Sequence, residues 1–217
     1  MKSIPTLIIP VLNRFDLLEK ALVSIDYPVD NILVIDNSNS YKNDKVNVLN
    51  MPSNMGVAGS WNLGIKCYPH SPYWVFMGSD VEWLPNTLQK ISVLSSPERF
   101  LITNYGFNAF SLGASFVKDV GLFDENYYPA YYEDEDYENR ARHMGLGHKI
   151  LYPDIPVKIY DSCTTAKSGG YLDKKSKTDI SNKNYYDTKF AKDPLKCYNW
   201  KLQRRIDNDW IINEDSV

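Results

Sequence analysis

Two short acidic segments carry the side chains best suited to chemistry in this chain. The first, Asp80 and Glu82, follows directly on the apolar run YWVF at 73–76. In an extended segment, residues i and i+2 point the same way, so both carboxylates would face one cleft. Carboxylates held that close repel unless a cation such as Mg²⁺ or Mn²⁺ lies between them, and such ions also accept phosphate oxygens. The alternative is a solvated turn in which Asp80 caps the next helix.

The second acidic segment is EDED at 133–136. On a helix, Asp134 and Glu138 share a face, as do Asp136 and Arg140, so i,i+4 ion pairs explain only part of this run. Carboxylates at a helix start are also favoured by the helix dipole. A carboxylate beside a cleft can instead act as a general base for an attacking hydroxyl. The aromatic residues just upstream could stack on a sugar or pack in the core: Tyr127, Tyr128, Tyr131 and Tyr132.

The first half of the chain alternates between short β-branched apolar runs and helical patterns. Strands are predicted at 6–9, 31–35, 46–49 and 73–76, and helices at 14–24, 57–66 and 85–94. Asn13 is a good N-cap residue for the first helix. This alternation indicates an α/β fold with a mainly parallel sheet.

The alternation is lost in the second half of the chain. Strands are predicted at 100–103, 110–117, 148–152 and 157–160, and a helix at 133–145, ended by Gly145. The segment 164–186 is polar and rich in Gly, Lys and Ser, so we predict a mobile loop or lid there, before a last helix around 194–206.

Four polar loops follow the four strands of the first half. In an open parallel sheet, ligands bind outside the carboxyl ends of the strands, so these loops should line one cleft. They are Pro10–Arg14, Asp36–Ser40, Asn54–Gly64 and Gly78–Glu82. The glycines of the third loop do not match the GxGxxG pattern. They either bring the amides of Asn54 and Asn62 close to a ligand or let a helix pack tightly on the sheet.

The bulk composition excludes several classes of protein. A chain of 217 residues with 43% hydrophobic residues can bury the core of one domain. The net charge of -3 argues against nucleic acid as a partner. The three cysteines fit neither a disulfide framework nor a zinc pattern, and no apolar run approaches the ~20 residues of a membrane span. We therefore expect a cytoplasmic protein with reduced thiols at Cys67, Cys163 and Cys197.

Taken in order, five motifs resemble those of the family 2 glycosyltransferases of the GT-A fold, over roughly residues 6–160. They are IPVLNR, LVIDNS, NMGVAGSWNLGI, MGSDVEWL and GLFDENYYPAYYEDEDYENRARHMG. The third is similar to the form in rhamnosyltransferase-like members. The resemblance implies a mainly parallel mixed sheet flanked by helices in a single domain at 1–217. Its nucleotide-binding half would span about 1–95, its acceptor half about 96–165, and a C-terminal loop and helical tail about 166–217.

The resemblance also implies roles for individual residues. The expected nucleotide-sugar-binding residues are Pro10, Asn13, Asp36, Asn62 and Asp80. GSDVE resembles the DXD motif, so Asp80 and Glu82 would hold Mn²⁺ or Mg²⁺. The pair Glu133–Asp134 matches the motif that supplies the catalytic base, which we assign to Asp134. In place of the late histidine of many GT-A enzymes, VKIYDSC offers Tyr160 and Asp161, so metal affinity without nucleotide should be weak.

The function implied is that of an inverting, metal-dependent hexosyltransferase. It would move a sugar from a UDP- or dTDP-linked hexose to a hydroxyl of a glycan acceptor, either as a complete protein or as a module of a longer chain. One alternative is a noncatalytic module that binds nucleotide-sugar or carbohydrate, which would be expected to have lost an acidic motif. Another is a sugar nucleotidyltransferase, which would be expected to open with a Gly-rich basic phosphate loop, unlike PVLNRFD.

Overall fold

A computed structural model describes residues 2–160 and 171–192. The strands are β1 Leu7–Val11, β2 Ile32–Asp36, β3 Asn47–Asn50, β4 Tyr73–Met77, β5 Val81–Trp83, β6 Phe100–Thr103, β7 Gly106–Gly113, β8 Ile150–Leu151 and β9 Val157–Ile159. The α-helices are α1 Phe15–Val23, α2 Gly56–Cys67, α3 Thr87–Leu94, α4 Ala114–Val120, α5 Glu133–His143 and α6 Tyr171–Lys192, and a short 3-10 helix spans Leu146–Lys149.

Seven of the strands form one mixed sheet in the order β3-β2-β1-β4-β7-β6-β8. β1 pairs in parallel with both β2 and β4, and β2 pairs in parallel with β3. β7 runs antiparallel to its neighbours β4 and β6, and β5 and β9 form a separate antiparallel pair. The predicted α/β fold with a mainly parallel mixed sheet is confirmed. All five residues of the central strand β4 are buried, as a strand covered on both faces requires.

Helices cover both faces of the sheet because adjacent side chains of each strand point to opposite sides. Ile9 of β1 belongs to one core cluster, together with Leu18 of α1 and Ile91 of α3. Ile8 belongs to the other cluster, whose residues include Trp61 of α2. The glycine at position 64 permits this packing, since a Cβ there would lie 2.6 Å from the Ile8 side chain. The glycines of the loop Asn54–Gly64 were interpreted either as bringing amides close to a ligand or as letting a helix pack tightly on the sheet. At Gly64 the second interpretation applies.

Two predicted elements differ from those observed. The strand predicted at 110–117 ends at Gly113, and α4 begins at Ala114. A Cβ on Gly113 would lie 2.1 Å from the Pro97 carbonyl oxygen, so only glycine allows the backbone at Pro97 to approach this closely. The loop predicted at 164–186 is wrong from Tyr171 onward, where α6 begins. The stretch 171–192 has no Gly or Pro to interrupt a helix, although its polarity suggested a loop.

Several smaller expectations can also be compared with the structure. The N-cap position of α1 is occupied by Arg14, with no side-chain capping hydrogen bond, so the capping role of Asn13 was wrong. Cys67 is a free, exposed cysteine, whereas Cys163, Cys197 and the helix predicted around 194–206 lie outside the described residues. Within 2–160 and 171–192, no helix combines the length and apolar character that crossing a bilayer requires.

Candidate active site

A cavity of about 720 Å³ lies at the carboxyl ends of the parallel strands. Pro10 of β1 lines it, as does Asn37, which directly follows β2. Asn54 precedes α2 and Asp80 follows β4, and both also reach the lining. The prediction that four loops share one cleft is therefore confirmed, with one or more residues from each loop at the cavity.

The other part of the cavity wall comes from the second half of the chain. It is formed by the turn Tyr105–Asn108 at the start of β7, by residues 129–135 and by Asp179 of α6. The contribution of α6 was missed in the sequence because the segment was assigned to a loop. Its freedom from Gly and Pro was the signal that could have indicated a helix.

The start of α2 is joined closely to the segment before α5. The Val57 amide donates to the Pro129 carbonyl oxygen at 2.8 Å, and the Tyr128 hydroxyl donates to the Asn54 carbonyl oxygen at 3.2 Å. Gly56 has a φ of 74°, and a Cβ on it would lie 2.8 Å from the Pro129 oxygen. Here glycine serves the close approach of two backbone segments, which fixes the two cavity walls relative to each other.

The charged side chains that the described residues contribute to the cavity are all carboxylates. The carboxylates that line the cavity are Asp80, Glu133, Asp134, Glu135 and Asp179. No lysine, arginine or histidine with a described side chain, that is within 2–160 and 178–191, is part of the lining. A pyrophosphate placed among these carboxylates would be repelled unless a cation came with it.

The two carboxylates of the first acidic segment, Asp80 and Glu82, do not both face the cavity. Asp80 lines the cavity from a turn, whereas Glu82 lies in β5 and is absent from the lining. The Glu82 carboxylate accepts hydrogen bonds from the Tyr160 hydroxyl and, at 3.2 Å, from Lys158 Nζ. These two donors lower the pKa of Glu82. The expectation that both carboxylates face one cleft was wrong because the turn at Asp80 breaks the extended geometry on which it depended.

The protein ligands available to a metal ion are correspondingly few. Across the described parts of the chain, no group of three or more His, Cys, Asp or Glu side chains is arranged to hold a metal ion. Tyr160, at the position where a late histidine was expected, binds Glu82 instead, and Asp161 lies outside the described residues. Asp80 offers a hard oxygen ligand at the cavity, so a Mg²⁺ or Mn²⁺ ion there would need most of its ligands from phosphate oxygens or water.

The second acidic segment brings two carboxylates to the cavity in the first turn of α5. Burial raises the pKa of Asp134, whose Oδ1 accepts a hydrogen bond from the Glu135 amide at 2.9 Å. Glu133 is only 5% exposed. Its Oε2 is buried and has no hydrogen-bond partner within the described chain. Burial and, next, the charge of Asp134 raise the pKa of Glu133 well above its usual range.

The residues just before α5 have unusual backbone angles. Tyr131 and Tyr132 have φ values of 80° and 73°, in the left-handed region that residues with a side chain rarely adopt. Both tyrosines line the cavity, whereas Tyr127 is buried in the core. Strained backbone of this kind persists where the surrounding structure holds it, and such strain concentrates at functional sites.

Asp136, in the same acidic run, faces the protein interior. It accepts a hydrogen bond from Arg140 Nε at 2.7 Å, and both side chains are fully buried. The predicted i,i+4 pair is therefore present. Lys189 of α6 also contacts Asp136 and lies 2.8 Å from Asp124 Oδ2. The run EDED is thus divided between the cavity and a buried ion-pair network that attaches α6.

Asp36 is a predicted nucleotide-binding residue that the structure keeps away from the cavity. It is fully buried. Its Oδ2 accepts hydrogen bonds from the amides of Ser40 and Tyr41, each at 2.7 Å, and its Oδ1 accepts from the Ser38 amide at 2.9 Å. The carboxylate holds its own loop together, and the next residue, Asn37, lines the cavity instead.

Asn62 is likewise absent from the cavity lining. It is fully buried in α2, and its Nδ2 donates to the Phe123 carbonyl oxygen at 2.9 Å and to Glu125 Oε1 at 2.8 Å. Its Oδ1 accepts from the Phe123 amide at 2.9 Å. The side chain therefore ties α2 to the segment after α4. Asn13 is not in the lining either, although its Oδ1 is buried without a hydrogen-bond partner in the described chain.

Residues 6–94 match the family model described as Glycosyl transferase family 2. This match confirms, over those residues, the resemblance seen in the motifs. It covers β1 to α3 and all four of the loops that were predicted to share a cleft. No curated protein matches the chain in sequence.

Solved structures of glycosyltransferases share the fold. A mannosyltransferase from Pyrobaculum calidifontis, in complex with GDP-Man and Mn²⁺, matches 71% of this chain at 15% identity with a TM-score of 0.56. S. aureus TarS matches 75% of it at 15% identity, also with a TM-score of 0.56. A mutant of Drosophila β1,4-galactosyltransferase 7, in complex with manganese, UDP-Gal and xylobiose, matches 80% at 14% identity with a TM-score of 0.55.

These likenesses establish the GT-A fold for this chain. The chain spans only part of the proteins that it resembles: 55% of the mannosyltransferase, 37% of TarS and 78% of the galactosyltransferase. 

Proposed function

We propose that this protein is a glycosyltransferase that moves a sugar from a nucleotide-diphosphate sugar to a hydroxyl of an acceptor. The observation that carries the proposal is one cavity, at the carboxyl ends of β1, β2 and β4, lined by both Asp80 and Asp134. One carboxylate is available to a metal and diphosphate, and the other to a proton. The family match and the GT-A fold support this assignment.

Both halves of the chain contribute to the cavity wall, which supports a different binding role for each half within one domain. We assign the nucleotide to the half at about residues 1–95, where Pro10, Asn37 and Asp80 line the cavity. The family match at 6–94 covers the same part of the chain. We assign the acceptor to the half at about 96–165, together with α6 from the tail at about 166–217, because Tyr105, residues 129–135 and Asp179 form the remaining wall.

A divalent cation fits the acidic character of this cavity. When bound, Mn²⁺ or Mg²⁺ would stabilise the negative charge that develops on the departing diphosphate. We propose that Asp80 holds the ion with diphosphate oxygens, and that Glu82, which is bonded to Lys158 and Tyr160, contributes indirectly if at all. The solved structures with Mn²⁺ and a nucleotide-sugar support the use of a metal by this fold.

Asp134 is the proposed general base. The acceptor hydroxyl would attack the anomeric carbon from the face opposite the diphosphate, which inverts its configuration, and Asp134 would accept the hydroxyl proton. Burial raises the pKa of Asp134, so its carboxylate binds a proton more readily than an exposed aspartate does. As the acceptor oxygen bonds to the anomeric carbon, the bond from that carbon to the diphosphate breaks, so the nucleotide diphosphate leaves and the sugar remains on the acceptor.

The proposal is tested with a panel of UDP-, dTDP- and GDP-linked sugars, with UDP- and dTDP-hexoses as the expected donors. Nucleotide release is measured with and without Mn²⁺, and donor binding is measured by calorimetry. We expect metal-dependent release with at least one donor. Binding without release from any donor would indicate the noncatalytic module, and the absence of both would contradict the proposal.

Three variants then separate the proposed roles. Asp134→Asn should lower turnover by about 10²–10⁴-fold while donor binding stays within about twofold of wild type. Asp80→Ala should abolish the metal-dependent part of donor binding, whereas Glu82→Ala should change it by no more than about twofold. The exposed Asp44→Asn serves as the matched control. Equal losses of metal-dependent donor binding in Asp80→Ala and Glu82→Ala would show that Glu82 is also a metal ligand.

A further inference from the structure

One side chain of the cavity, Glu133, has a buried oxygen that lacks a hydrogen-bond partner in the described chain. Glu133 is 95% buried, given its exposure of 5%, and its Oε2 has no hydrogen-bond partner in the described chain. A buried polar atom without a partner costs about 1–3 kcal/mol, so most such atoms in folded proteins are paired. Because Glu133 also lines the cavity, a group bound there can supply the missing partner.

The charges around Glu133 restrict what this ligand can be. Asp134 and Glu135 lie next to it on α5, Asp179 faces the same cavity from α6, and Asp80 faces it from the end of β4. The preceding residues Tyr131 and Tyr132 complete this wall, and no cation lines it among the side chains described, at 2–160 and 178–191. Lys183 of α6 lies outside the lining, but its charge acts on Glu135 and Tyr132. An anionic group beside Glu133 would therefore meet repulsion from the carboxylates of the lining, which this one cation offsets only in part. An uncharged hydroxyl would meet no such repulsion.

The wall beside Glu133 also suits a sugar ring. Tyr131 and Tyr132 line the cavity, and Tyr105, on the turn before β7, is 48% exposed beside them in the lining. Aromatic side chains offer a large apolar face, and a tyrosine adds a hydroxyl that can bond to the polar edge of a ligand. The nucleotide side contributes Trp61 and Asp80 to the lining, but among the described residues the tyrosines lie only on the side of Glu133.

We propose that Glu133 binds the acceptor: a hydroxyl of an uncharged sugar completes the hydrogen bonding of Glu133 Oε2 and is thereby held beside Asp134. The inference rests on the proposed glycosyltransferase function and adds to it the acceptor class, a neutral sugar rather than an anionic one. Burial keeps the pKa of Glu133 high, so it offers the hydroxyl a neutral carboxyl group, while its neighbour Asp134 receives the proton. The two adjacent carboxyl groups would then have different roles.

The test uses the donor identified by the nucleotide-release panel and separates water from sugar as the acceptor. Hydrolysis of the donor is measured alone and then with methyl glycosides of glucose, galactose, mannose, rhamnose and N-acetylglucosamine. Methyl glucuronide and methyl galacturonide serve as anionic counterparts. We expect at least one neutral glycoside to accept the sugar and its uronide counterpart to be a much poorer acceptor.

Variants then test Glu133 itself. Glu133→Ala should raise the KM for the neutral acceptor by about tenfold or more and should lower transfer more than donor hydrolysis, while donor binding stays within about twofold of wild type. Glu133→Gln keeps a neutral hydrogen-bonding group of similar size, so its acceptor KM should stay within about threefold of wild type. The exposed Glu98→Ala is the control, and thermal unfolding of every variant shows whether it has folded.

The possible outcomes are distinct. An unchanged acceptor KM in Glu133→Ala, or equal losses of hydrolysis and transfer, would overturn the acceptor role of Glu133. Equal KM increases in folded Glu133→Gln and Glu133→Ala would overturn the hydrogen bond to a neutral carboxyl group. Donor hydrolysis without transfer to any neutral glycoside would overturn the acceptor class yet leave the proposed function standing. If no donor releases its nucleotide, the proposed function itself fails.

Discussion

The loop after β2 and the start of α5 each bury a carboxyl group, and the two groups differ in how they are satisfied. Asp36 is fully buried and accepts hydrogen bonds from three backbone amides and from the side chains of Ser38 and Asn50. Glu133 is 5% exposed and has one oxygen without a partner in the described chain. A carboxylate whose bonds are all internal is part of the scaffold, whereas an incompletely bonded one at a cavity is available to a ligand.

Asp136 shows a third arrangement, three residues beyond Glu133. It is compensated by charge, from Arg140 on the same helix and from Lys189 on α6. Asp124 shares Lys189, so two carboxylates and two cations lie together; Asp124, Asp136 and Arg140 are fully buried, and the Lys189 side chain is 8% exposed. Position within an acidic run therefore does not indicate whether a carboxylate serves the fold or the cavity, since only its partners distinguish the two cases.

The largest effect is expected where a buried charge is left without compensation. Lys189→Met should destabilise the protein by about 3–5 kcal/mol, because Asp124 would lose its ion-pair partner and Asp136 would keep only Arg140. Urea unfolding measures this loss. Lys183→Met is the control, since Lys183 forms an exposed pair with Asp187 and its loss should leave the urea unfolding curve close to that of wild type. Similar small losses in both variants would show that α6 is not attached through this network.

A smaller loss is expected at the loop after β2. Asp36→Ala removes the acceptor of the Ser38, Ser40 and Tyr41 amides, so it should destabilise the protein by about 3 kcal/mol. Donor binding should weaken only as far as the loop itself is disturbed. Asp44→Ala, at an exposed position of the same connection, should remain within about 0.5 kcal/mol of wild type. A stable Asp36→Ala variant that had lost donor binding would instead show that Asp36 contacts the nucleotide directly.

At neutral pH, Glu133→Gln should raise the free energy of unfolding, whereas Lys189→Met and Asp36→Ala should lower it. The folded protein holds the Glu133 proton to a higher pH than the unfolded chain does, because burial raises this pKa well above the ordinary 4.5. The proton is therefore lost on unfolding, and this contribution to stability declines as the pH rises from 4.5 toward the folded pKa. Glu133→Gln removes that decline, so its stability relative to wild type should increase with pH in urea unfolding. A difference that did not vary with pH would show that Glu133 is charged in the folded state.

The smallest expected effect is a shift in the pH dependence of turnover. Asp134 must be deprotonated to accept a proton, and burial raises its pKa above the ordinary value of 3.8. The acidic limb of kcat/KM should therefore lie at a higher pH than an exposed aspartate would produce. The limb is measured with saturating metal, and it should be absent from the residual activity of Asp134→Asn. Its persistence in that variant would assign the titration to another group.

The sequence was sufficient for the elements that bury a regular apolar pattern. The apolar run at 73–76 becomes β4, and the amphipathic pattern at 14–24 becomes α1, each within two residues of its predicted limits. These elements follow from local spacing, which is written in the chain itself. The position of the cavity could also be predicted, because the carboxyl ends of β1, β2 and β4 meet at one edge of a parallel sheet.

The sequence indicated that the chain has an α/β fold of the GT-A type, with acidic loops at the carboxyl ends of its parallel strands, because periodicity and motif order are local properties. Only the tertiary structure decided which acidic side chains reach the cavity. A turn directs Asp80 inward and Glu82 toward β9, and hydrogen bonds from its own loop retain Asp36 in the scaffold. The direction of a side chain beyond a strand end depends on the turn and on distant partners such as Lys189, and neither can be read from local spacing.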